Sequence, residues 1–161
     1  MVDKPQEKSF LERLRHVAFH KYFYFTRGLT LGVRGMALDA QGQVFLIRHT
    51  YVRGWHLPGG GVEIGETLRQ SLDRELEEEG NIEIIGAPQL LGVYFNGHAS
   101  RRDHVAVYVI RNFRQSAPKI ADREIAEAGF FPLAALPQGT TQGTRARISE
   151  ALGAAPVAEN W

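Results

Sequence analysis

The chain has 161 residues, of which 43% are hydrophobic and 23% are charged, and its formal net charge is +1. These values are typical of one globular domain with a hydrophobic core, and the near-neutral charge provides no overall field that would select nucleic acid or an anionic membrane. The sequence contains no cysteine, which excludes disulfides, thiolate zinc sites and a cysteine nucleophile and fits a reducing, cytoplasmic compartment.

The N-terminal region predicts a polar tail over residues 1–8, followed by a helix over residues 9–27. No apolar run in the chain reaches the length of a membrane span, and the polar start lacks the apolar core of a secretion signal. In the predicted helix, apolar side chains recur at helical spacing, but the basic side chains are not collected on one broad face. This pattern favours packing on the same domain or on a second subunit over a membrane-surface role, so a homodimer contact through this helix is one expectation.

The middle of the chain predicts a mixed sheet. Strand-forming residues at 30–38 and 44–49 flank a turn and predict a hairpin. Later strand signals and a last helix are separated by polar turns. These strands are predicted at 90–95, 104–110 and 127–133, the helix at 140–152 with Gly153 as its cap, and a C-terminal tail at 154–161.

A glycine-rich turn and a helix occupy the segment from Gly59 to Ile82. Thr67 and Gln70 match a capping box at the start of the helix, in which each side chain binds a free backbone amide. Apolar side chains then recur every four residues and predict a buried stripe. The stripe consists of Leu68, Leu72 and Leu76.

The end of this helix carries several acidic side chains. Glu75, Glu78 and Glu79 stand at positions i, i+3 and i+4, so their carboxylates share a face. Glu79 lies about 20° from Leu72 on the helical wheel, inside the edge of the apolar stripe. We therefore expect these carboxylates at the margin of the core, whereas Glu77 projects into solvent. Acids at the negative end of a helix are unfavourable, and a divalent cation such as Mg²⁺ would offset them.

The glycine turn predicts an anion site beside the acidic face. Gly59, Gly60, Gly61 and Gly65 permit positive φ and close backbone approach. A turn of this kind, with free amides ahead of a helix, can hold a phosphate. A cation site next to an anion site indicates a metal-bound phosphate or pyrophosphate substrate.

Together these residues resemble the Nudix box of the Nudix hydrolases. The match runs from Gly60 through Glu66 to the block Arg74–Glu79, and the sequences on either side are similar as well. One difference is Asn81, which stands where the family has glycine. Asparagine is the next-best residue for a left-handed helix cap, so we expect the cap to be retained.

The resemblance covers about residues 29 to 152 and implies a Nudix domain over residues 28–153. The implied fold class is α+β, with a mixed β-sheet sandwiched between helices in an α/β/α arrangement and an extra N-terminal helix. The implied reaction is hydrolysis, by metal-activated water, of a pyrophosphate bond in a nucleoside diphosphate linked to another group. Its cofactor would be Mg²⁺ or Mn²⁺. The implied catalytic residues are Glu66, Arg74, Glu75 and Glu78, and the implied metal ligands are Gly59, Glu75, Glu78 and Glu79.

Substrate contacts are expected from basic side chains near the glycine turn and from the polar loop at 96–103. Two other interpretations are equally good: the arginines form ordinary surface ion pairs, and the loop at 96–103 is solvated without contacting a substrate. Trp55 and His56 are candidates for lining a base or sugar pocket, although Trp55 fits the core equally well. The candidate substrate-binding residues are Arg34, Arg48, Arg53, His56, Gly60, Arg101 and Arg102.

Three other functions compete with nucleotide pyrophosphate hydrolysis. Isomerisation of isopentenyl diphosphate, found on a similar fold, calls for a catalytic cysteine that the chain lacks. A nucleotide sensor with weak turnover stays open, but such domains often lose the box acids that are present here. Removal of pyrophosphate from RNA 5′ ends receives weak support from the net charge of +1. A nucleotide-type small molecule is therefore the expected substrate, with no nucleic-acid partner.

Overall fold

A computed structural model describes Phe19, Tyr22 and residues 28–161 of the chain. The predicted helix over residues 9–27 and its homodimer contact lie outside the described residues, apart from the two aromatic residues, which are helical and have exposed side chains. None of the helices in the described part of the chain combines the length and the apolar character that a membrane crossing requires.

Residues 28–161 form seven strands and two helices, which confirm the strands and the two helices that the sequence predicts after residue 28. Two further strands, each three residues long, are not predicted, because so few residues show no alternation. In chain order the elements are β1 Thr30–Ala37, β2 Gln43–His49, α1 Leu68–Gly80, β3 Ile82–Ile84, β4 Gln89–Phe95, β5 Asp103–Ile110, β6 Phe113–Gln115, β7 Ile125–Pro132 and α2 Gln142–Ala151.

The sheet is mixed, as expected. Strand β5 pairs in parallel with β1 and antiparallel with β4, while β2 pairs antiparallel with β7. The predicted hairpin pairing of β1 with β2 is therefore wrong, because each of the two strands pairs with a strand that is distant in the sequence. A single bridge between Leu38 and Val44 connects β1 and β2 directly. The turn itself is present, and the Asp39 carboxylate accepts hydrogen bonds from the amides of Gln41 and Gln43.

The two helices cover opposite faces of the sheets. On one side, Leu72 and Leu76 of α1 belong to a core cluster that includes Val33 of β1. On the other side, Ile148 of α2 belongs to a second cluster with Val107 of β5. This arrangement confirms the α/β/α sandwich, and it places the acidic end of α1 at the rim of the first cluster.

The predicted C-terminal tail is docked against α2 and the edge of β4. The Phe95 amide donates to the Glu159 carbonyl at 2.9 Å, and the Trp161 amide donates to the Phe95 carbonyl at 3.0 Å. The buried Arg147 donates to the Asn160 carbonyl at 3.0 Å. The segment therefore extends the sheet beside β4.

Helix α1 begins and ends as the sequence predicts. Thr67 and Gln70 form both hydrogen bonds of the capping box, and Asn81 is the left-handed C-cap with φ 53° and ψ 37°. Beyond this cap, Lys119 Nζ donates to the Glu78 carbonyl at 2.7 Å. A lysine from a distant loop thus places positive charge at the negative end of the helix, which is favourable.

Replacement of Asn81 by alanine should lower the free energy of unfolding by about 1–2 kcal/mol, because a β-carbon is unfavourable at positive φ. The change also removes the hydrogen bonds from Asn81 Nδ2 to the Ala117 and Pro118 carbonyls. Asn81→Gly loses the same hydrogen bonds but avoids the strain, since glycine adopts this conformation freely, so it should be more stable than Asn81→Ala. Urea unfolding of the three proteins checks this, and equal midpoints for Asn81→Ala and the natural chain would contradict it.

Candidate active site

The glycine turn is fixed beside β1 as a short additional strand. The Val33 amide donates to the Gly60 carbonyl at 2.9 Å, and the Val62 amide donates to the Leu31 carbonyl at 2.8 Å. This pairing is antiparallel and is continuous with β1, which belongs to the core sheet. The turn therefore has a rigid position relative to α1.

Two glycines in this turn lie in close contacts with neighbouring groups. Gly59 has φ 138°, and a β-carbon there would overlap the Val33 carbonyl. A β-carbon on Gly60 would overlap the carboxylate of Glu75. The absence of side chains thus allows the backbone of the turn to lie directly against the acidic face of α1.

Glu79 is the most deeply buried of the three clustered carboxylates, with 7% of its surface exposed, so the desolvation predicted from the helical wheel is confirmed. Its Oε2 accepts a hydrogen bond from the Gly59 amide at 2.6 Å. Burial raises the pKa of Glu79 to about 7, against the opposing effects of this hydrogen bond and of the Arg34 charge. On the other side, His49 Nε2 lies 3.8 Å from Glu79 Oε1.

Arg74 binds three of the acids that surround it. Its Nε and Nη2 donate to the two carboxylate oxygens of Glu66 at 3.0 and 3.1 Å, which is a bidentate pair. Its Nη1 donates to Glu75 Oε1 at 2.7 Å and lies 3.5 Å from Glu78 Oε2. The hydrogen bonds from Arg74 lower the pKa of Glu66 to about 2. Arg74 therefore fixes the positions of both carboxylates and keeps Glu66 charged.

The carboxylates of Glu75, Glu78 and Glu79 supply hard oxygen donors of the kind that Mg²⁺ and Mn²⁺ prefer. Within residues 28–161, no three acidic or imidazole side chains converge on one point, since the Glu78 side chain is 62% exposed and Arg74 holds Glu75. The donor chemistry nevertheless fits a divalent cation, because a nearby positive charge favours the ionised form of the buried Glu79. Glu77 is exposed.

Arg34 braces the glycine turn from β1. Its Nη1 donates to the Leu57 carbonyl at 3.1 Å and also to the Gly59 carbonyl. Burial lowers the pKa of this guanidinium, whereas the charges of Glu79 and Glu75 raise it. Gly59 thus binds Glu79 through its amide and Arg34 through its carbonyl, and its part in a metal site stays a prediction.

The other predicted substrate-binding residues lie in two places. Arg48 and Arg53 both line a pocket formed by the loop after β2. Arg48 pairs with Glu127, whereas the Arg53 side chain is exposed. Arg101 and Arg102 are exposed in the turn between β4 and β5, beside the start of β1.

His56 and Trp55 end the loop that forms this pocket. His56 is partly buried, its Nε2 lies 3.1 Å from the Arg53 carbonyl, and burial lowers its pKa. Trp55 is 9% exposed, packs edge-on against Phe131 and also lines the pocket. The interpretation of Trp55 as a core residue is therefore confirmed, and its contact with a base or sugar stays a prediction.

The sequence interpretation does not include His49, which contacts Glu79. The alternation of β2 contains the necessary signal, because Phe45 and Ile47 belong to the core cluster that packs against α1. A residue two positions further along a strand lies on the same face, so His49 comes next to the end of α1. Tyr51, whose ring lies 5.0 Å from that of His49, follows in an irregular loop where alternation gives no guidance.

Comparison with known sequences agrees with these features. A sequence model of the NUDIX domain matches residues 28–152 of the chain. An ADP-ribose pyrophosphatase of Methanocaldococcus jannaschii is 39% identical over 83 residues, covering 51% of this chain and 48% of that protein. An RNA pyrophosphohydrolase of Pseudoalteromonas translucida is 42% identical over 52 residues, covering 32% of this chain and 30% of that protein. The matches thus span less than half of the length of these curated relatives.

Solved structures have the same fold. A MutT NUDIX hydrolase from Burkholderia pseudomallei superimposes with a TM-score of 0.65 at 26% identity, covering 76% of this chain and 98% of that chain. A UDP-X diphosphatase superimposes with a TM-score of 0.62 at 20% identity, covering 92% of this chain and 74% of that chain. At the lower identity the likeness concerns the fold alone.

The stability of the metal-free protein should depend on pH through Glu79. Its pKa is about 7 in the folded state against an ordinary value of 4.5, so its contribution is present below pH 4.5 and is lost as the pH rises through 7. Between pH 5 and 8 the natural protein should lose about 2–3 kcal/mol more than Glu79→Gln. Urea unfolding of EDTA-treated proteins at both pH values measures this difference.

The control for this measurement is Glu77→Gln, which removes an exposed charge from the same helix. That variant should retain the pH dependence of the natural protein. The expectation would be contradicted if the pH dependence of Glu79→Gln were the same as that of the natural chain.

Proposed function

The chain belongs to the Nudix family, and on this basis we propose that it hydrolyses a pyrophosphate bond in a nucleoside diphosphate linked to another group, with Mg²⁺ or Mn²⁺ as cofactor. One observation carries the proposal. The carboxylate of Glu79 is buried at the end of α1, held by the Gly59 amide, on the same face as Glu75 and Glu78. A protein gains no stability from an ionised acid in such a position, which supports a role in binding a cation.

The residues that would hold the cation are Glu75, Glu78 and Glu79. When bound, a divalent cation neutralises pyrophosphate charge and makes water a usable nucleophile near neutral pH. The protein contributes by holding these carboxylates in place, and Arg74 does so through its hydrogen bonds to Glu75 and Glu66.

Hydrolysis forms a new P–O bond from water and breaks the bridging P–O bond, so a proton of the attacking water must be accepted. Glu78 suits this role because its side chain is 62% exposed and lies 3.5 Å from Arg74, which keeps it near the cluster. Positive charge for the substrate phosphates would come from Arg34 and Arg53. Arg34 supports this function by its position between the glycine turn and the carboxylates.

Removal of pyrophosphate from RNA 5′ ends is the second candidate. It is favoured by the likeness to the RNA pyrophosphohydrolase of P. translucida. It would use the same carboxylates, and the exposed Arg101 and Arg102 would contact the RNA backbone. The two candidates differ in the size of the substrate and not in the chemistry at the phosphorus.

Replacement of Glu78 by glutamine should lower kcat/KM by about 100-fold or more, because it removes a carboxylate from the proposed metal and water site. The substitution hardly changes the shape of an exposed side chain, so the fold should be retained. The assay measures product release from nucleotide sugars, ADP-ribose, dinucleoside polyphosphates, nucleoside triphosphates and 5′-triphosphorylated RNA with each cation. Glu77→Gln is the matched control and should keep full activity.

The outcomes of this screen separate the alternatives. Full activity of Glu78→Gln on any substrate would refute the assignment of that residue. Binding of a nucleotide by the natural protein without turnover of any substrate would favour the sensor function instead. Turnover of the RNA but of none of the small molecules would favour the second candidate.

Replacement of Arg74 by lysine should weaken Mn²⁺ binding by about ten-fold, because lysine keeps the charge but cannot form the bidentate pair that fixes Glu66. Arg69→Lys is a matched control on the same helix, since Arg69 forms a similar pair with Asp73, a residue outside the proposed metal site. Calorimetric titration with Mn²⁺ measures both variants. Equal affinities for the two variants would show that Arg74 does not position the carboxylates.

A further inference from the structure

A pocket beside the carboxylate cluster is formed by the loop that follows β2. The loop is anchored at both ends, since the Thr50 amide donates to the Glu124 carbonyl at 2.8 Å and the Trp55 amide donates to the Gly139 carbonyl at 3.1 Å. Thr50 Oγ1 adds a hydrogen bond of 2.8 Å to the Arg123 carbonyl. The pocket is therefore preformed, with one wall from the loop and the other from the Gln138–Gly139 turn.

An aromatic surface forms part of this pocket. The Tyr51 ring packs on the His49 ring at 5.0 Å between centroids and an interplanar angle of 33°. The His49 side chain is 8% exposed and cannot turn away, whereas Tyr51 is 69% exposed. An exposed ring supported from behind by a buried one offers a fixed, flat apolar surface for another ring.

A polar side chain accompanies this aromatic surface on the opposite wall of the pocket. Gln138 is exposed there, and its amide can both donate and accept hydrogen bonds. The ring surface is thus accompanied by a group that can bind the polar edge of a planar ligand.

The pocket adjoins the carboxylates directly. His49 Nε2 lies 3.8 Å from Glu79 Oε1, so the imidazole spans the distance between the pocket and the cluster. The Tyr51 ring in turn lies 5.0 Å from the His49 ring, so His49 separates Tyr51 from Glu79 and one ligand can contact both.

We propose that this pocket binds the nucleobase of the substrate, stacked on Tyr51, while the attached phosphates extend past His49 to the carboxylates. The inference rests on the proposed function, because it names the part of a nucleotide substrate that lies next to the cleaved bond. In this pocket, Tyr51 is a specificity-determining residue, and the side-chain amide of Gln138 forms hydrogen bonds with the edge of the base.

A nucleobase fits this pocket better than a further phosphate or a sugar. Of the two arginines in the pocket, Arg48 is already paired with Glu127 and lies 5.9 Å over the Trp55 ring, so a phosphate there would have to compete with an existing ion pair. The exposed Arg53 serves the phosphates attached to the base, as proposed above. A sugar gains little from a flat aromatic surface that a planar base covers fully. Stacking of a base on an aromatic side chain typically contributes about five- to one-hundred-fold in affinity.

The test compares nucleoside monophosphates with ribose 5-phosphate, which lacks only the base. Calorimetry with Mg²⁺ present is suitable, because neither ligand has a pyrophosphate bond to be cleaved. The natural protein should bind at least one of AMP, GMP, CMP and UMP about ten-fold more tightly than ribose 5-phosphate. Tyr51→Ala should abolish this difference, and Tyr51→Phe, which keeps the ring, should retain it.

Each outcome decides for or against the pocket independently of turnover. Equal affinity for ribose 5-phosphate and all four nucleotides, or no binding of either, would overturn the proposal. So would a preference for nucleotides that persists in Tyr51→Ala. If no substrate is hydrolysed but binding still depends on the base and on Tyr51, the proposed reaction fails and the pocket stands. If hydrolysis occurs without any preference for the base, the reaction stands and the pocket is refuted.

Discussion

The rest of the site depends on the hydrogen bond between the Gly59 amide and the buried carboxylate of Glu79. This contact joins the glycine turn to the end of α1, and both elements are fixed elsewhere by the core. A buried acid is costly, so the amide that satisfies it restricts where the turn can lie. The close approach in turn excludes a side chain at Gly59 and brings the backbone of Gly60 against the Glu75 carboxylate. The position of one carboxylate thus determines where the glycine turn lies against α1.

The charge at the end of α1 is offset by several groups of the protein itself. Lys119 donates to the Glu78 carbonyl, the Asn81 amide donates to carbonyls of the last turn, and Arg74 pairs with Glu75 and Glu78. These contacts account for the exposed and half-exposed charges. Glu79 accepts a hydrogen bond from the Gly59 amide and is influenced by the charge of Arg34, but its pKa is still raised. The remaining demand for positive charge is therefore concentrated at Glu79, the buried acid whose pKa is raised.

Local features of the fold and of the site can be predicted from the sequence, because they depend on residues within one or two turns of each other. The capping box at Thr67, the cap at Asn81 and the burial of Glu79 all follow from helical geometry. Strand partners cannot be predicted in this way, since β1 pairs with β5 and not with the neighbouring β2. Lys119 is missed for the same reason: its partner is brought near by the fold and not by the sequence.

His49 shows how two periodic patterns meet to extend the site. Along β2, Phe45 and Ile47 face α1, and His49 continues that face to the point where the helix presents Glu79. Arg48 alternates to the opposite face and lies over Trp55. The strand ends here with a break in register, which releases the chain into the loop that carries Tyr51. The helix period determines the position of the Glu79 carboxylate, and the strand period determines the position of the His49 imidazole. The separation of these two groups is therefore fixed by two rigid elements, and the loop with Tyr51 starts from that fixed point.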